Sequence, residues 1–282
     1  KGVRALHHLS GLTEEPEVLA LTLQRSAVES RQLRLVVEGV EVTDPAAPKL
    51  IGNLPRTVGS PPSVWRDIKV LNNHAYIVAD GAAAHGMQVF DLTRLRDVKA
   101  PAQFTPDTTY REIASAHNVV ADTASGFLYV VGSNSGGTTC GGGLHMVDAR
   151  SPKRLAFAGC YNSPAAGTGR GYTHDAQCLV YRGPDVRYQG RQICIGANEN
   201  EINIADVTDK AAPVVIGRNS YPNVAYAHQG WFDDEQRYFY MNDELDELAG
   251  TVAGTRTIVW DLRDLSDPIV ANMYIGPVKA SD

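Results

Sequence analysis

The stretch INIADVTDKAAPVVIG, residues 202–217, contains a short alternating strand that ends in Asp206, then a turn, then a proline before a second strand. This order of features recurs along the chain, and its five aspartates lie 47 to 58 residues apart: Asp44, Asp91, Asp148, Asp206 and Asp261. A fixed period of this length indicates a repeat architecture rather than a β-sandwich. We expect each aspartate to accept hydrogen bonds from the backbone amides of the following turn, which is a structural role.

A second unit lies between successive copies. It reads VWRDIKVLNNHAYIVAD at 64–80, AHNVVADTASGFLYVVGSN at 116–134 and AHQGWFDDEQRYFYMNDE at 227–244, with a further copy at 173–200. Each unit contains two strands around a turn, so every repeat has four antiparallel strands. This pattern predicts an all-β fold, a β-propeller of four-stranded antiparallel blades.

The domain boundaries follow from the repeat. Five copies are visible, so the chain reads as a truncated propeller or as part of a larger one. Residues 38–282 are predicted to form the propeller repeats. Residues 1–37 match the repeat poorly, and we expect them at most to contribute to the first blade.

Composition and charge exclude some partners. The 282 residues are 43% apolar and 21% charged, with a net charge of −6 and no basic run. Nucleic acid and anionic membrane surfaces are therefore poor partners. The sequence also lacks the ~18 consecutive apolar residues of a membrane-spanning helix.

The four cysteines indicate the compartment. Cys178 and Cys194 bracket two strand-like runs joined by a turn, and Cys140 and Cys160 flank one short strand. Proximity favours the disulfides Cys140–Cys160 and Cys178–Cys194, although reduced core thiols and a zinc site of two cysteines and two histidines are alternatives. Disulfides predict an exported protein, located extracellularly, at the cell surface or in the periplasm.

Several motifs carry a family resemblance. The repeats resemble those of the LVIVD-repeat proteins. The ordered run SVWRDIKV, HGMQVFDL, HNVV, CGGGLHMVD, GYTHDAQC, HQGW, NDELDE and TRT resembles the choice-of-anchor B family of secreted bacterial proteins over about residues 40–275. This resemblance implies a secreted β-propeller, truncated or part of a longer one, and it implies no particular chemistry.

Polar residues are expected to converge at one rim of the central channel, where the first strand of each repeat begins. The opening positions hold one pair in each repeat: Arg66-Asp67, His117-Asn118, His174-Asp175 and His228-Gln229. The returning strands and the next loops end at the same rim. We expect a protein or glycan ligand to bind at a rim that contains Arg66, Asp67, Asp80, His85, Asn118 and Gln229.

The rim also suggests a cation site. Three imidazoles at equivalent positions can ligate zinc or iron, but they equally suit hydrogen bonds between blades, and Arg66 in the fourth position cannot ligate. The acidic run at 242–247 holds four carboxylates, which repel one another unless a cation or solvent screens them. Ca²⁺ is therefore the favoured cofactor over a transition metal. The candidate ligands are His117, His174, His228, Asp175, Glu199, Asp243, Glu244 and Asp246.

Catalytic motifs for serine hydrolysis, nucleotide binding and zinc proteolysis do not occur. We therefore favour an extracellular binding or assembly module, stabilised by a cation, over an enzyme. One alternative is a metal-dependent hydrolase or lyase with a histidine-held metal and Asp175 or Glu199 as base. Another is a structural subunit of a surface layer or filament that self-assembles through an open blade edge.

Trp65, Trp231 and Trp260 are expected to be packing anchors.

Overall fold

The structure, a computed structural model, describes residues 19–23, 36–41, 46–96, 98–163 and 171–278. This part of the chain is almost entirely β-structure, with two short 3₁₀ turns at Leu92–Leu95 and Cys140–Gly142. Its strands form five four-stranded sheets that succeed one another along the sequence. No helix within the described ranges is long and apolar enough to cross a membrane.

The first two sheets exchange a segment of chain. Sheet 1 contains β1 (Leu19–Leu23), β2 (Val36–Glu41), β3 (Lys49–Pro55) and β7 (Ala102–Gln103). Sheet 2 contains β4 (Arg66–Leu71), β5 (His74–Ala79), β6 (Met87–Asp91) and β8 (Thr108–Tyr110). The chain thus leaves sheet 2 after β6, pairs with sheet 1 through β7, and returns.

The other three sheets are continuous in sequence, apart from a small two-stranded addition. Sheet 3 contains β10 (Asn118–Asp122), β11 (Phe127–Val131), β13 (Leu144–Asp148) and β14 (Ala156–Tyr161). Sheet 4 contains β15 (Asp175–Val180), β16 (Gln192–Ala197), β17 (Ile202–Asp206) and β18 (Val214–Asn219). Sheet 5 contains β19 (Ala227–Phe232), β20 (Tyr238–Asp243), β21 (Arg256–Asp261) and β22 (Ile269–Ile275). The small sheet pairs β9 (Ile113–Ser115) with β12 (Ser135–Gly137).

Strand β7 corrects the predicted repeat in one detail. The residues after Pro101 were expected to form the fourth strand of their own repeat, but β7 pairs in parallel with β3 of sheet 1. Gly52 permits this approach, because a Cβ there would lie 2.2 Å from the carbonyl oxygen of Ala102. The fourth strand of sheet 2 is β8 instead, which pairs antiparallel with β6.

The repeated aspartates have the predicted structural role. The Oδ1 atom of Asp91 accepts a hydrogen bond from the amide of Thr93, and that of Asp206 accepts one from Thr208, both at 3.0 Å. Asp148 and Asp261 each accept one from the second following residue in the same way. Asp44 lies outside the described residues. These bonds satisfy amides that the turn would otherwise leave unpaired.

Each pair of consecutive sheets shares one cluster of buried apolar side chains. Representative members are Ile77 between sheets 1 and 2, Val130 between sheets 2 and 3, Met146 between sheets 3 and 4, and Trp260 between sheets 4 and 5. The first strands of sheets 2 to 5 lie next to one another in the same order. Sheets that pack face to face in sequence around their first strands are the blades of a β-propeller, as predicted.

Candidate functional site

Three histidines lie side by side where the first strands of sheets 3, 4 and 5 begin. The ring centroids of His117 and His174 are 4.1 Å apart, and those of His174 and His228 are 4.6 Å apart. His174 is therefore the middle ring of the three, and it is buried. We call this group the histidine cluster.

The environment of His174 fixes its protonation. Its Nδ1 lies 2.9 Å from the backbone carbonyl oxygen of His228, which can only accept, so Nδ1 carries the proton. Burial, together with the neighbouring His117 and His228, lowers the pKa of His174 to about 3. The ring is therefore neutral at ordinary pH, with its Nε2 lone pair available.

A carboxylate on the preceding blade holds His117. The Nδ1 atom of His117 lies 2.9 Å from Oδ2 of Asp80, whose other oxygen accepts from the amide of Asn134 at 2.5 Å and from the backbone of Gly81 at 2.6 Å. Burial alone would raise the pKa of Asp80, but these hydrogen bonds outweigh it and hold the pKa below its usual value. The predicted rim residue Asp80 is therefore part of the histidine cluster's support.

Glu244 reaches the cluster from the loop after β20. Its carboxylate lies 3.8 Å from Nε2 of His228, and its backbone amide donates to the carbonyl of Tyr226 at 3.0 Å. The candidate ligand Glu199 lies nearby and accepts from the hydroxyl of Tyr226 at 3.4 Å. Glu244 therefore places a carboxylate beside the ring of His228.

Two tyrosines complete the walls of the cluster, and the sequence reading did not include them. The ring of Tyr226 packs edge-on against His174, with centroids 5.1 Å apart, and the ring of Tyr172 lies 6.5 Å away. A signal was present, because Tyr172 precedes His174 and Tyr226 precedes His228 by two residues. Burial raises the pKa of both hydroxyls, so the tyrosines stay neutral.

Two other predicted residues, Asp67 and Asn118, connect the first strands to one another, and Asp175 begins the first strand of sheet 4. Asp67 accepts from the backbone amide of Val119 on the next sheet at 3.0 Å and binds the ammonium of Lys69 at 2.7 Å. Asn118 donates to the carbonyl of His174 at 3.4 Å. Burial raises the pKa of Asp175 to about 6. These contacts match the alternative reading in which the opening pairs tie neighbouring blades together.

Arg66 and His85 form a separate buried group. His85 is fully buried, its Nδ1 lies 2.8 Å from the carbonyl of Gly86, and burial lowers its pKa to about 4. Burial also lowers the pKa of Arg66 to about 10. Within the described residues, neither the guanidinium nitrogens of Arg66 nor Nε2 of His85 has a hydrogen-bond partner. Gln229, the remaining rim candidate, is exposed on β19.

The other acids of the 242–247 run point into the protein. Asp243 is buried and accepts from the Tyr221 hydroxyl at 2.8 Å, and its remaining donors are the backbone amides of Ala225, Tyr226, Leu245 and Asp246. Asp246 forms an ion pair with Arg256 at 2.6 Å. Burial and the adjoining Glu247 carboxyl raise the pKa of Asp246 to about 6. The structure therefore does not bring Asp243 and Asp246 to the histidine cluster.

Two of the three tryptophans are not packing anchors, which corrects that prediction. Trp260 is fully buried, but Trp65 is 62% exposed and Trp231 is 61% exposed. Trp231 lies directly opposite Tyr240, which is 44% exposed, on the face of sheet 5 that points away from sheet 4. We call this surface the outer face of sheet 5. Among the described residues, no sheet covers Trp231 on that side.

Both predicted disulfides are confirmed. Cys140 is bonded to Cys160, and Cys178 is bonded to Cys194. The second pair joins residues directly opposite each other on β15 and β16. All four cysteines of the sequence are thereby paired.

Similar solved structures support the fold. A functionally unknown protein from Desulfotomaculum acetoxidans matches 93% of this chain and 68% of its own, with 9% identity and a TM-score of 0.62. The Cps50 (Swd1) β-propeller domain from Myceliophteria thermophila matches 92% and 69%, with 8% identity and a TM-score of 0.52. KlAtg21, in a complex with the coiled coil of AgAtg16, matches 92% and 68%, with 10% identity and a TM-score of 0.53.

Identities this low establish the propeller fold alone. The chain spans about two thirds of the length of these proteins. No protein-family model matches the chain, and no curated protein matches it. Membership of the LVIVD-repeat or choice-of-anchor B family therefore stays a prediction.

Proposed function

We propose that this protein is an exported assembly module, which binds a second copy of itself through the outer face of sheet 5. The observation that carries the proposal is the cross-strand pair Trp231 and Tyr240, which are 61% and 44% exposed on that face. Large exposed aromatic groups in one patch are typical of protein interaction sites.

The position of this face in the fold explains its composition. Sheets 1 to 4 each pack a face against the next sheet, and sheet 5 buries Phe239 and Trp260 against sheet 4. Its other face carries side chains in the same alternating register, with Val259 and Tyr240 opposite each other. The outer face therefore combines exposed aromatic side chains with polar ones, which is the composition of many interfaces between folded proteins.

Charge supports a second copy as the occupant. The side chains on the outer face are Gln229, Trp231, Tyr238, Tyr240, Asn242, Thr257, Val259, Asp261, Asn272 and Tyr274. The charged residue among them, Asp261, is buried and paired with Arg263 at 2.6 Å, so two such faces can meet without like-charge contact although each chain has a net charge of −6. Two sheets related by a twofold axis would pack face to face, which is the common geometry of sheet packing and of dimers.

The two disulfides support export. All four cysteines are paired, and structural disulfides persist in oxidising compartments such as the periplasm or the extracellular space. A rigid, cross-linked propeller is a suitable scaffold for assembly outside the cytosol. KlAtg21, a structural neighbour, is itself seen in a protein complex.

Sedimentation velocity across a range of protein concentrations tests this proposal. We expect wild type to dimerise reversibly, and the double variant Trp231→Ser, Tyr240→Ser to stay monomeric with an unchanged far-UV circular dichroism spectrum. The matched control is Trp65→Ser, which removes an equally exposed tryptophan outside this face and should leave dimerisation intact.

Two results would overturn the proposal. One is a wild-type protein that stays monomeric at every concentration. The other is a Trp65→Ser variant that weakens association as much as the double variant does, since this would show that tryptophan exposure in general drives association.

A further inference from the structure

We propose that the histidine cluster is a zinc site, in which His174, His228 and Glu244 are the protein ligands. One candidate ligand atom from each residue lies within 4.8 Å of the other two. In a tetrahedral zinc site with bonds of 2.0–2.1 Å, ligand atoms lie roughly 3.3 Å apart. Small side-chain rotations would therefore close the site.

The three ligands come from separate parts of the propeller, which keeps them in place. His174 immediately precedes β15, His228 lies on β19, and Glu244 follows β20. Strands β19 and β20 are hydrogen-bonded neighbours, and β15 packs beside β19. Ligands positioned by strand ends of a rigid sheet pair give a preorganised site.

The hydrogen bonds of His174 prepare it as a ligand. Metal-binding histidines usually donate one ring N–H to a carbonyl or carboxylate, which orients the ring and directs the other nitrogen to the metal. Nδ1 of His174 donates to the carbonyl oxygen of His228 at 2.9 Å, so Nε2 presents its lone pair. The ring is also held between His117 and Tyr226.

His117 acts as a positioning residue for this site. Its Nδ1 bonds Asp80 at 2.9 Å, and its ring lies 4.1 Å from that of His174. Its nitrogens do not belong to the group of converging ligand atoms. His117 therefore holds the His174 ring in place by packing against it.

The donor set favours zinc over calcium. Two imidazole nitrogens and one carboxylate form a ligand combination that zinc enzymes use with a fourth position for water or substrate. Calcium instead takes six to eight oxygen ligands, and the two acids of the same loop next to Glu244, Asp243 and Asp246, are occupied by internal donors and by Arg256. The sequence-based preference for Ca²⁺ is thereby replaced with a preference for Zn²⁺.

Isothermal titration calorimetry of untagged, chelator-treated protein with zinc chloride tests the site. We expect one zinc ion per chain, no saturable heat with calcium chloride, and at least a hundredfold weaker zinc binding for His174→Ala and for Glu244→Ala. The matched control is His74→Ala, because His74 also lies beside a carboxylate, that of Asp91 at 3.7 Å, but at the opposite end of sheet 2. It should bind zinc like wild type.

Cobalt spectroscopy gives a readout that does not depend on stability. Co²⁺ in the tetrahedral site should give intense visible absorption in wild type and in His74→Ala, and zinc should abolish it by competition. Absence of saturable zinc binding in wild type would overturn the proposal. Equal loss of binding in His74→Ala, or unchanged binding in a folded His174→Ala variant, would overturn it as well. Loss of zinc binding without loss of dimerisation would separate this site from the assembly proposal.

Discussion

Asp243 and Glu244 are neighbours in one acidic run, yet the structure gives them opposite environments. Asp243 is buried, and its carboxylate accepts hydrogen bonds from five donors. Glu244 points out of the blade to the His228 ring at 3.8 Å. A carboxylate whose lone pairs are already used stabilises the fold, whereas one that faces imidazoles can bind a cation. The two residues therefore differ in where their side chains point, although both are acids of the same loop.

The largest expected effect is on the free energy of unfolding, which should respond differently to replacement of Asp243 and of Glu244. Asp243→Asn places an amide NH2 among five hydrogen-bond donors and removes a charge 3.7 Å from the buried Arg256, and it should lower the free energy of unfolding by about 3 kcal/mol. Glu244→Gln should change it by less than about 0.5 kcal/mol, as expected for a partly exposed side chain. Urea unfolding of both variants, with chelator present, measures this. Similar losses of unfolding free energy in the two variants would contradict the different roles given to Asp243 and Glu244.

A second, smaller effect concerns pH and His174. In the folded protein its pKa is about 3, below that of the unfolded chain at roughly 6.5, so its contribution to stability is present above pH 6.5 and is lost on acidification. Between pH 7 and pH 5 this costs about 2 kcal/mol. His174→Gln should lack that loss. Urea unfolding at the two pH values, without metal, checks it, and an equal loss in the variant would contradict it.

The smallest effect has the opposite sign and concerns Asp246. Its folded pKa of about 6 lies above the usual value of 3.8, so its contribution to stability is greatest at low pH and is lost as pH rises through 6. Acidification from pH 7 to pH 5 should therefore gain about 1 kcal/mol through this group. In the Asp246→Asn variant this gain should disappear. Urea unfolding at pH 7 and pH 5 measures this gain. If the Asp246→Asn variant retains it, the gain does not come from Asp246, and Asp175, whose pKa is also about 6, becomes its source.

Periodicity alone was enough to predict much of the fold. The spacing of the repeated aspartates gave the blades and their hydrogen-bonded turns, because each copy meets the same local constraints. The Cys178–Cys194 pair followed from a hairpin that places the two residues opposite each other. Equivalent strand starts also placed His117, His174 and His228 near one another.

Other features depend on contacts that no local pattern records. The sequence could not distinguish Asp243 from Glu244, because side-chain direction in that loop is set by Arg256 and by the amides of the preceding turn. It could not predict that Trp231 is exposed, because exposure depends on which sheets cover sheet 5. The transfer of β7 to sheet 1 breaks the repeat, and Gly52 does not announce it, because Gly159 and Gly217 occupy the same repeat position without such a transfer.

That transferred strand has a mechanical consequence for the whole molecule. Strand β7 lies between β6 and β8 in sequence but is hydrogen-bonded to β3, so sheets 1 and 2 cannot separate without breaking main-chain hydrogen bonds. The described boundaries between the later blades instead carry single main-chain hydrogen bonds, such as those from Thr173 to Gly142 and from Ala227 to Glu199, and no shared strand. The first two blades should therefore open together as one unit in native-state hydrogen exchange, whereas blades 3, 4 and 5 can open one at a time from the end of the series.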